Sequence, residues 1–134
     1  MKRKIASRSK KTVRPRLRIL LGESIAIGPG KAALLEAINQ NGSISAAARA
    51  NGMSYRRAWN LVDTMNKCFI TPLVDTSTGG ARGGGAHLTE LGHTILAAYQ
   101  DMEIKARRAI AREFTAFERF LVQPKDTPAE DQND

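Results

Sequence analysis

Cysteine, aromatic side chains and long apolar runs are all scarce in this 134-residue chain. The single cysteine, Cys68, excludes an intramolecular disulfide and a cysteine-cluster metal site. His87 and His93 stand at no zinc-ligand spacing, so no metal and no cofactor is expected. No apolar stretch approaches the roughly 20 residues that span a bilayer. The basic start lacks the unbroken apolar core of a signal peptide, because Arg18, Gly22 and Glu23 interrupt the apolar stretch after it. It does share Arg- and Ser-rich character with mitochondrial transit segments, but the default expectation is a cytoplasmic protein without a membrane partner. Asp63, Asp75, Glu90 and Asp101 are scattered singly, and no nucleophile, base and orienting acid can be assembled. No catalytic residue and no enzyme activity are expected.

What is present is positive charge. Lys and Arg number 21 against 13 Asp and Glu, a net charge of +8, which favours a polyanionic partner. Residues 1–18 carry Lys2, Arg3, Lys4, Arg8, Lys10, Lys11, Arg14, Arg16 and Arg18 with no acid. Asp126, Glu130, Asp131 and Asp134 make the far end acidic, and both ends read as disordered.

Residues 43–67 read as helix, tight turn, helix. Ser45 is placed to cap a short helix through Ala46, Ala47, Ala48 and Ala50. Gly52 suits the left-handed conformation that ends it. Ser54 then caps a second helix beginning Tyr55, Arg56, Arg57. Ala47 lets the two helices approach closely. This is a helix-turn-helix layout, whose second helix enters a major groove. Ala58, Trp59, Val62 and Met65 share helical spacing, which predicts that Trp59 packs in the core.

Around this pair, residues 17–27 read as one short strand and about 30–40 as a helix with Leu34, Leu35, Ala37 and Ile38 inward, ended by Asn41 and Gly42. Leu73–Val74 and Ala86–Leu88 read as an antiparallel pair. The loop between them contains Gly79, Gly80, Gly83, Gly84 and Gly85 and reads as a hairpin tip. It lacks the Gly-Lys-Ser/Thr ending of a phosphate-binding P-loop. From Thr89, a candidate cap, apolar residues recur in steps of three and four: Leu91, Ile95, Tyr99, Met102, Ala106, Ile110, Phe114, Phe117 and Leu121. That pattern predicts one amphipathic helix over 89–121, about 50 Å long. So long a helix outreaches so small a domain, and its distal half calls for a second copy of the chain. Lys105, Arg107, Arg108, Arg112 and Arg119 alternate with Glu103, Glu113 and Glu118 on what reads as its solvated side.

Four passages resemble the DNA-binding domain of ModE-type molybdate-responsive regulators, a winged-helix family related to the LysR type. They are Asn41–Ala48, Met53–Trp59, Met65–Asn66, and Thr78–Ala86 continuing through Leu88-Thr89 to Gly92. The resemblance covers roughly residues 17–121. It implies a mainly α fold with a small β-hairpin wing, a winged helix-turn-helix followed by a long dimerisation helix. It implies a homodimer on double-stranded DNA. The oxyanion-binding domains that such regulators carry after the long helix have no counterpart here, so direct molybdate binding is not expected. The expected organisation is a basic disordered arm at 1–16, a winged helix-turn-helix at 17–88, a dimerisation helix at 89–121 and an acidic disordered tail at 122–134.

The candidate DNA-binding residues are Ser43, Ser45, Ser54, Tyr55, Arg56, Arg57, Asn60, Lys67 and, on the wing tip, Arg82. The candidate dimerisation residues are the nine apolar positions from Leu91 to Leu121 just named. The expected function is a sequence-specific transcriptional regulator, linked to molybdenum metabolism. The alternatives are a non-specific architectural DNA binder, which the same charge would serve, and a protein-interaction module.

Overall fold

The computed structural model describes residues 13–77 and 85–122. Within them the chain runs β1 (Ile19–Leu21), β2 (Ser24–Ile27), α1 (Pro29–Asn41), α2 (Ile44–Ala50), α3 (Tyr55–Cys68), β3 (Val74–Ser77), β4 (Gly85–Leu88), α4 (Glu90–Ala109) and α5 (Ala111–Glu118). The architecture is mainly α, with two small antiparallel hairpins. The basic segment before Val13, the wing tip and the acidic tail after Val122 lie outside the described residues.

The first hairpin corrects the expectation of a single strand at 17–27. The chain reverses at Gly22-Glu23, pairing Leu21 with Ser24 and Leu20 with Ile25, with a register irregularity before Ile19 meets Ile27. The apolar run hid the reversal because both arms are apolar. Pro29 then stands at the start of α1, where its missing N–H costs nothing. The helix ends at Gly42, whose N–H donates to the Ile38 carbonyl at 2.9 Å.

The cap of α2 is Ser43 rather than Ser45. Ser43 is extended, and its hydroxyl accepts the Ala46 N–H at 3.0 Å. Starting the helix there buries Ile44 in the core, which a cap at Ser45 would leave outside the first turn. The turn to α3 passes through Gly52 at φ +67, a backbone that L side chains rarely adopt. Ser54 caps α3 by accepting the Arg57 N–H at 3.1 Å. Ala47 and Ala58 are completely buried, so α2 and α3 cross with no bulk between them.

The core sits under this pair. Leu34, Leu35, Ile38, Met65 and Leu73 are fully buried, with Val62, Val74, Ala86 and Leu88 beside them. β3 and β4 pair Val74 with Leu88 and Asp75 with His87, so alternate residues face the core and the solvent. Gly92 lets α4 lie directly on the wing base: a Cβ there would stand 2.2 Å from the Leu73 carbonyl oxygen. Thr89 caps α4 through the Gly92 N–H at 2.9 Å, and its own hydroxyl donates to Pro72 O at 2.8 Å.

The expected single helix over 89–121 is two helices. Ile110 (φ −106, ψ 12) separates α4 from α5, although the Ile110 N–H still reaches Ala106 O at 3.2 Å. Apolar spacing records which face a residue occupies, not the backbone angle at one position. A single residue can therefore interrupt the helix without disturbing the pattern. α5 stops at Glu118, and the chain tightens into turns in which Phe120 and Leu121 donate three residues back.

Candidate nucleic-acid interface

The first turn of α3 projects from the body. Ser54, Tyr55 and Arg56 are exposed, and Arg57 is half-buried. The hydroxyl cap at Ser54 satisfies the Arg57 N–H, which fixes where the helix starts and so where these side chains emerge.

The two arginines diverge. Arg56 borders a shallow groove with Tyr55, Trp59 and Asn60. Arg57 turns the other way, into a depression it shares with Arg18, Asn51, Gly52 and Leu61 beside the start of α1. Neighbours in sequence on a helix point about 100° apart, so such a split is expected once one of them is fixed.

On the Tyr55 side, three elements meet. Ser43 and Ser45 from the start of α2, Tyr55 and Trp59 from α3, and Thr76, Ser77 and Gly85 from the wing strands enclose an open cleft of about 390 Å³. Of the expected DNA-contacting residues, the fold thus gathers Ser43, Ser45 and Tyr55 in one cleft, with Arg56 and Asn60 in the groove next to it. Lys67 sits at the far end of α3, in an ion pair with Asp63 at 3.0 Å. Arg82 lies outside the described residues.

Trp59 is not in the core. It is 45% exposed, and the buried face of α3 is Ala58, Val62 and Met65. Helical spacing puts Trp59 near that face, but Ala58 takes the inward position because α2 lies too close for an indole. Thr76 and Ser77 join the cleft without being among the expected residues. Their only sequence signal is that they flank the glycine run on a predicted hairpin.

Asn66 binds the wing to α3. Its Oδ1 accepts the backbone N–H groups of Leu73 (2.8 Å) and Val74 (3.1 Å), and its Nδ2 donates to Val74 O at 3.2 Å. One side chain therefore satisfies three backbone groups at the base of β3 and sets the angle between α3 and the hairpin.

A second polar cluster lies where α4 meets the residues before β1. Glu103, expected on a solvated face, is only 8% exposed. Its Oε2 accepts Arg16 Nε at 2.9 Å, the Leu17 N–H at 3.0 Å and the Tyr99 hydroxyl at 3.1 Å. Burial disfavours its charged form, but these three donors and the Arg16 charge outweigh that, and the carboxyl is held below its ordinary range. Burial likewise disfavours the Arg16 cation, yet Glu103 raises its pKa above the ordinary value. Arg16, expected in a disordered arm, is thus fastened to α4.

The nine apolar positions expected to pair two chains divide. Tyr99 is 1% exposed and donates to Leu17 O at 2.7 Å, so it belongs to the monomer's own interior. The residues before β1 cover it, which the helical pattern could not show. Leu91 and Ile95 pack partly against the same core. Ala106 and Phe114 are half-buried. Met102, Ile110, Phe117 and Leu121 are exposed.

No protein-family model matches the chain. Among curated proteins it is 43% identical over 95 residues to the molybdenum-pterin-binding protein MopB of Rhodobacter capsulatus, covering 71% of this chain and 34% of that protein. It is 42% identical over 87 residues to the molybdenum transport protein ModE of Azotobacter vinelandii, covering 65% and 32%. It is 37% identical over 83 residues to the DNA-binding transcriptional dual regulator ModE of Escherichia coli, covering 62% and 32%. The matched stretch spans about a third of the length of these relatives. Among solved structures, the DNA-binding domain of CbnR, determined in a complex with DNA, superposes with a TM-score of 0.50 at 21% identity, covering 65% of this chain and 94% of that one. The resemblance to ModE-type regulators holds over most of the chain, and the fold is a winged helix-turn-helix.

Proposed function

We propose that the chain is a sequence-specific DNA-binding regulator of transcription that acts as a homodimer and serves genes of molybdenum metabolism. The observation that carries this is the single cleft where the start of α2, the exposed first turn of α3 and the wing strands converge. In that arrangement α3 enters the major groove with Tyr55, Arg56 and Asn60 leading. The hydroxyls of Ser43, Ser45 and Ser54 bond phosphate oxygens and set the register, while Arg56 either clamps phosphate or forks onto a guanine edge. Much of the affinity then comes from phosphate neutralisation and falls with salt. The wing strands follow the duplex beside the groove that α3 occupies, and Arg82, between them in sequence, supplies a further cation to the phosphates.

Pairing of two chains rests on Met102, Ile110, Phe117 and Leu121, exposed apolar residues on α4, α5 and the turn after them. Two copies related by a twofold would read a pseudo-palindrome with half-sites about 34 Å apart, or a multiple of that. The molybdenum link is supported by the likeness to molybdenum-pterin-binding and molybdenum transport proteins.

The test has two parts. Duplex selection from a random library, followed by affinities at physiological salt, should give a preferred site bound at least about 10³-fold tighter than random sequence. Light scattering should give twice the 14.6 kDa chain mass. A ratio near one would leave an architectural binder, and no binding even at low salt would leave a protein-interaction module. Mapping bound sites across the genome then checks the molybdenum link through the neighbouring genes.

A further inference from the structure

We infer that Trp59, supported by Tyr55, is a specificity residue that receives the 5-methyl group of thymine in the major groove. The inference rests on the DNA-binding reading and adds what the interface reads. Trp59 is the sole tryptophan of the chain and is 45% exposed, and Tyr55, one helical turn earlier on the same face, is 56% exposed. An indole left in water forfeits one of the largest apolar burials a side chain can make, and the core here closes without it. The two rings line a cleft whose other walls are Ser43, Ser45, Thr76 and Ser77 with Ile44 and Gly85.

Those surroundings select the occupant. Among the described residues no carboxylate lines the cleft or the adjoining groove, and the groove carries Arg56 and Asn60. Hydroxyl, amide and guanidinium donors around an apolar strip match a nucleic-acid groove, where phosphates and base acceptors surround a few protruding methyl groups. Thymine is the base that presents a methyl there, and apolar side chains are what read it. Removing one buried methyl corresponds to about a fourfold loss of affinity.

The experiment takes the selected operator and replaces each thymine in turn by deoxyuridine, which deletes the methyl and keeps every hydrogen-bonding group. Wild-type protein should lose about fourfold at one or two positions per half-site. Trp59→Ala should bind more weakly overall and be indifferent to uracil at those same positions. Trp59→Phe should retain part of the sensitivity. Saturation with operator should also shift the fluorescence of this single tryptophan. The inference fails if wild type tolerates uracil everywhere, if the selected half-sites contain no thymine, if Trp59→Ala keeps the full uracil penalty, or if the emission does not change. Each of those leaves specific DNA binding intact. Absence of any selected duplex would instead overturn the DNA-binding reading and this inference together.

Discussion

Replacing Gly92 by alanine tests whether the wing and the long helix meet as described. At an open helical position this change stabilises, because alanine is the better helix former by about 1 kcal/mol. Here the added Cβ would stand 2.2 Å from Leu73 O, 3.1 Å from Leu73 C and 3.3 Å from Leu88 Cβ. Relief requires backbone to move by about an ångström, since the nearest atom is a carbonyl and not a flexible side chain. That carbonyl also accepts the Thr89 N–H at 2.9 Å, so moving it weakens the bond that ties the end of β4 to the wing base. Overpacking costs about 1–3 kcal/mol and a strained or lost hydrogen bond about 1. Against the propensity gain of about 1, the net is about 2 kcal/mol of destabilisation. Urea unfolding should show the midpoint falling with an unchanged slope, and the melting temperature should drop by roughly 10 °C. A midpoint that stays or rises would refute the close approach of α4 to Leu73, because the sign, not only the size, is at stake.

The same kind of contact sets three further outcomes. Glu103 has its carboxyl held low in the folded state, so its contribution is present above the ordinary carboxylate pKa of about 4.3 and disappears as pH falls through the folded value; Glu103→Gln should flatten the acid limb of a stability-versus-pH curve, and parallel curves for the two proteins would contradict the cluster. Asn66→Ala leaves the Leu73 and Val74 N–H groups without their acceptor and should cost about 2–4 kcal/mol, read by chemical denaturation; a stability equal to wild type would show that the clasp holds nothing. Arg56→Ala should weaken operator binding by about 1–3 kcal/mol and relax preference at one base pair if it forks onto guanine, whereas Arg57→Ala, directed toward Arg18 and the start of α1, should alter specificity less; equal effects in a selection assay would contradict the divergence of the two side chains.

The elements written in local chemistry were legible. Ser54, Gly42 and Gly52 act within a few residues of themselves, as does Thr89 in capping α4, so these helix ends could be read from local sequence. The antiparallel hairpin around the glycine run was readable, but not its length: the strands are Val74–Ser77 and Gly85–Leu88, so Asp75–Ser77 and Gly85, expected in the loop, are paired, while Leu73, expected in the strand, is not. What failed needed information from a distance. Glu103 is buried by Arg16 and Leu17, more than 80 positions away, and no helical wheel of α4 contains them. Tyr99 fits a dimer face by its spacing, and it is the approach of Leu17 that takes it inward. Trp59 and Ala58 are adjacent on one wheel, and only the closeness of α2 decides which of them faces it. Ser43 and Ser45 offer two caps, and the burial of Ile44 chooses between them.

The Asn66 clasp has a geometric consequence. Because one side chain of α3 holds the backbone at the base of β3, α3 and the start of the hairpin form a caliper with a set opening, not two independently hinged jaws. In the proposed complex, a duplex gripped by such a caliper would be measured as well as read. Inserting a single base pair between the segment under α3 and the segment under the wing would rotate one out of reach by about a tenth of a turn, and no side-chain adjustment at either end could follow it.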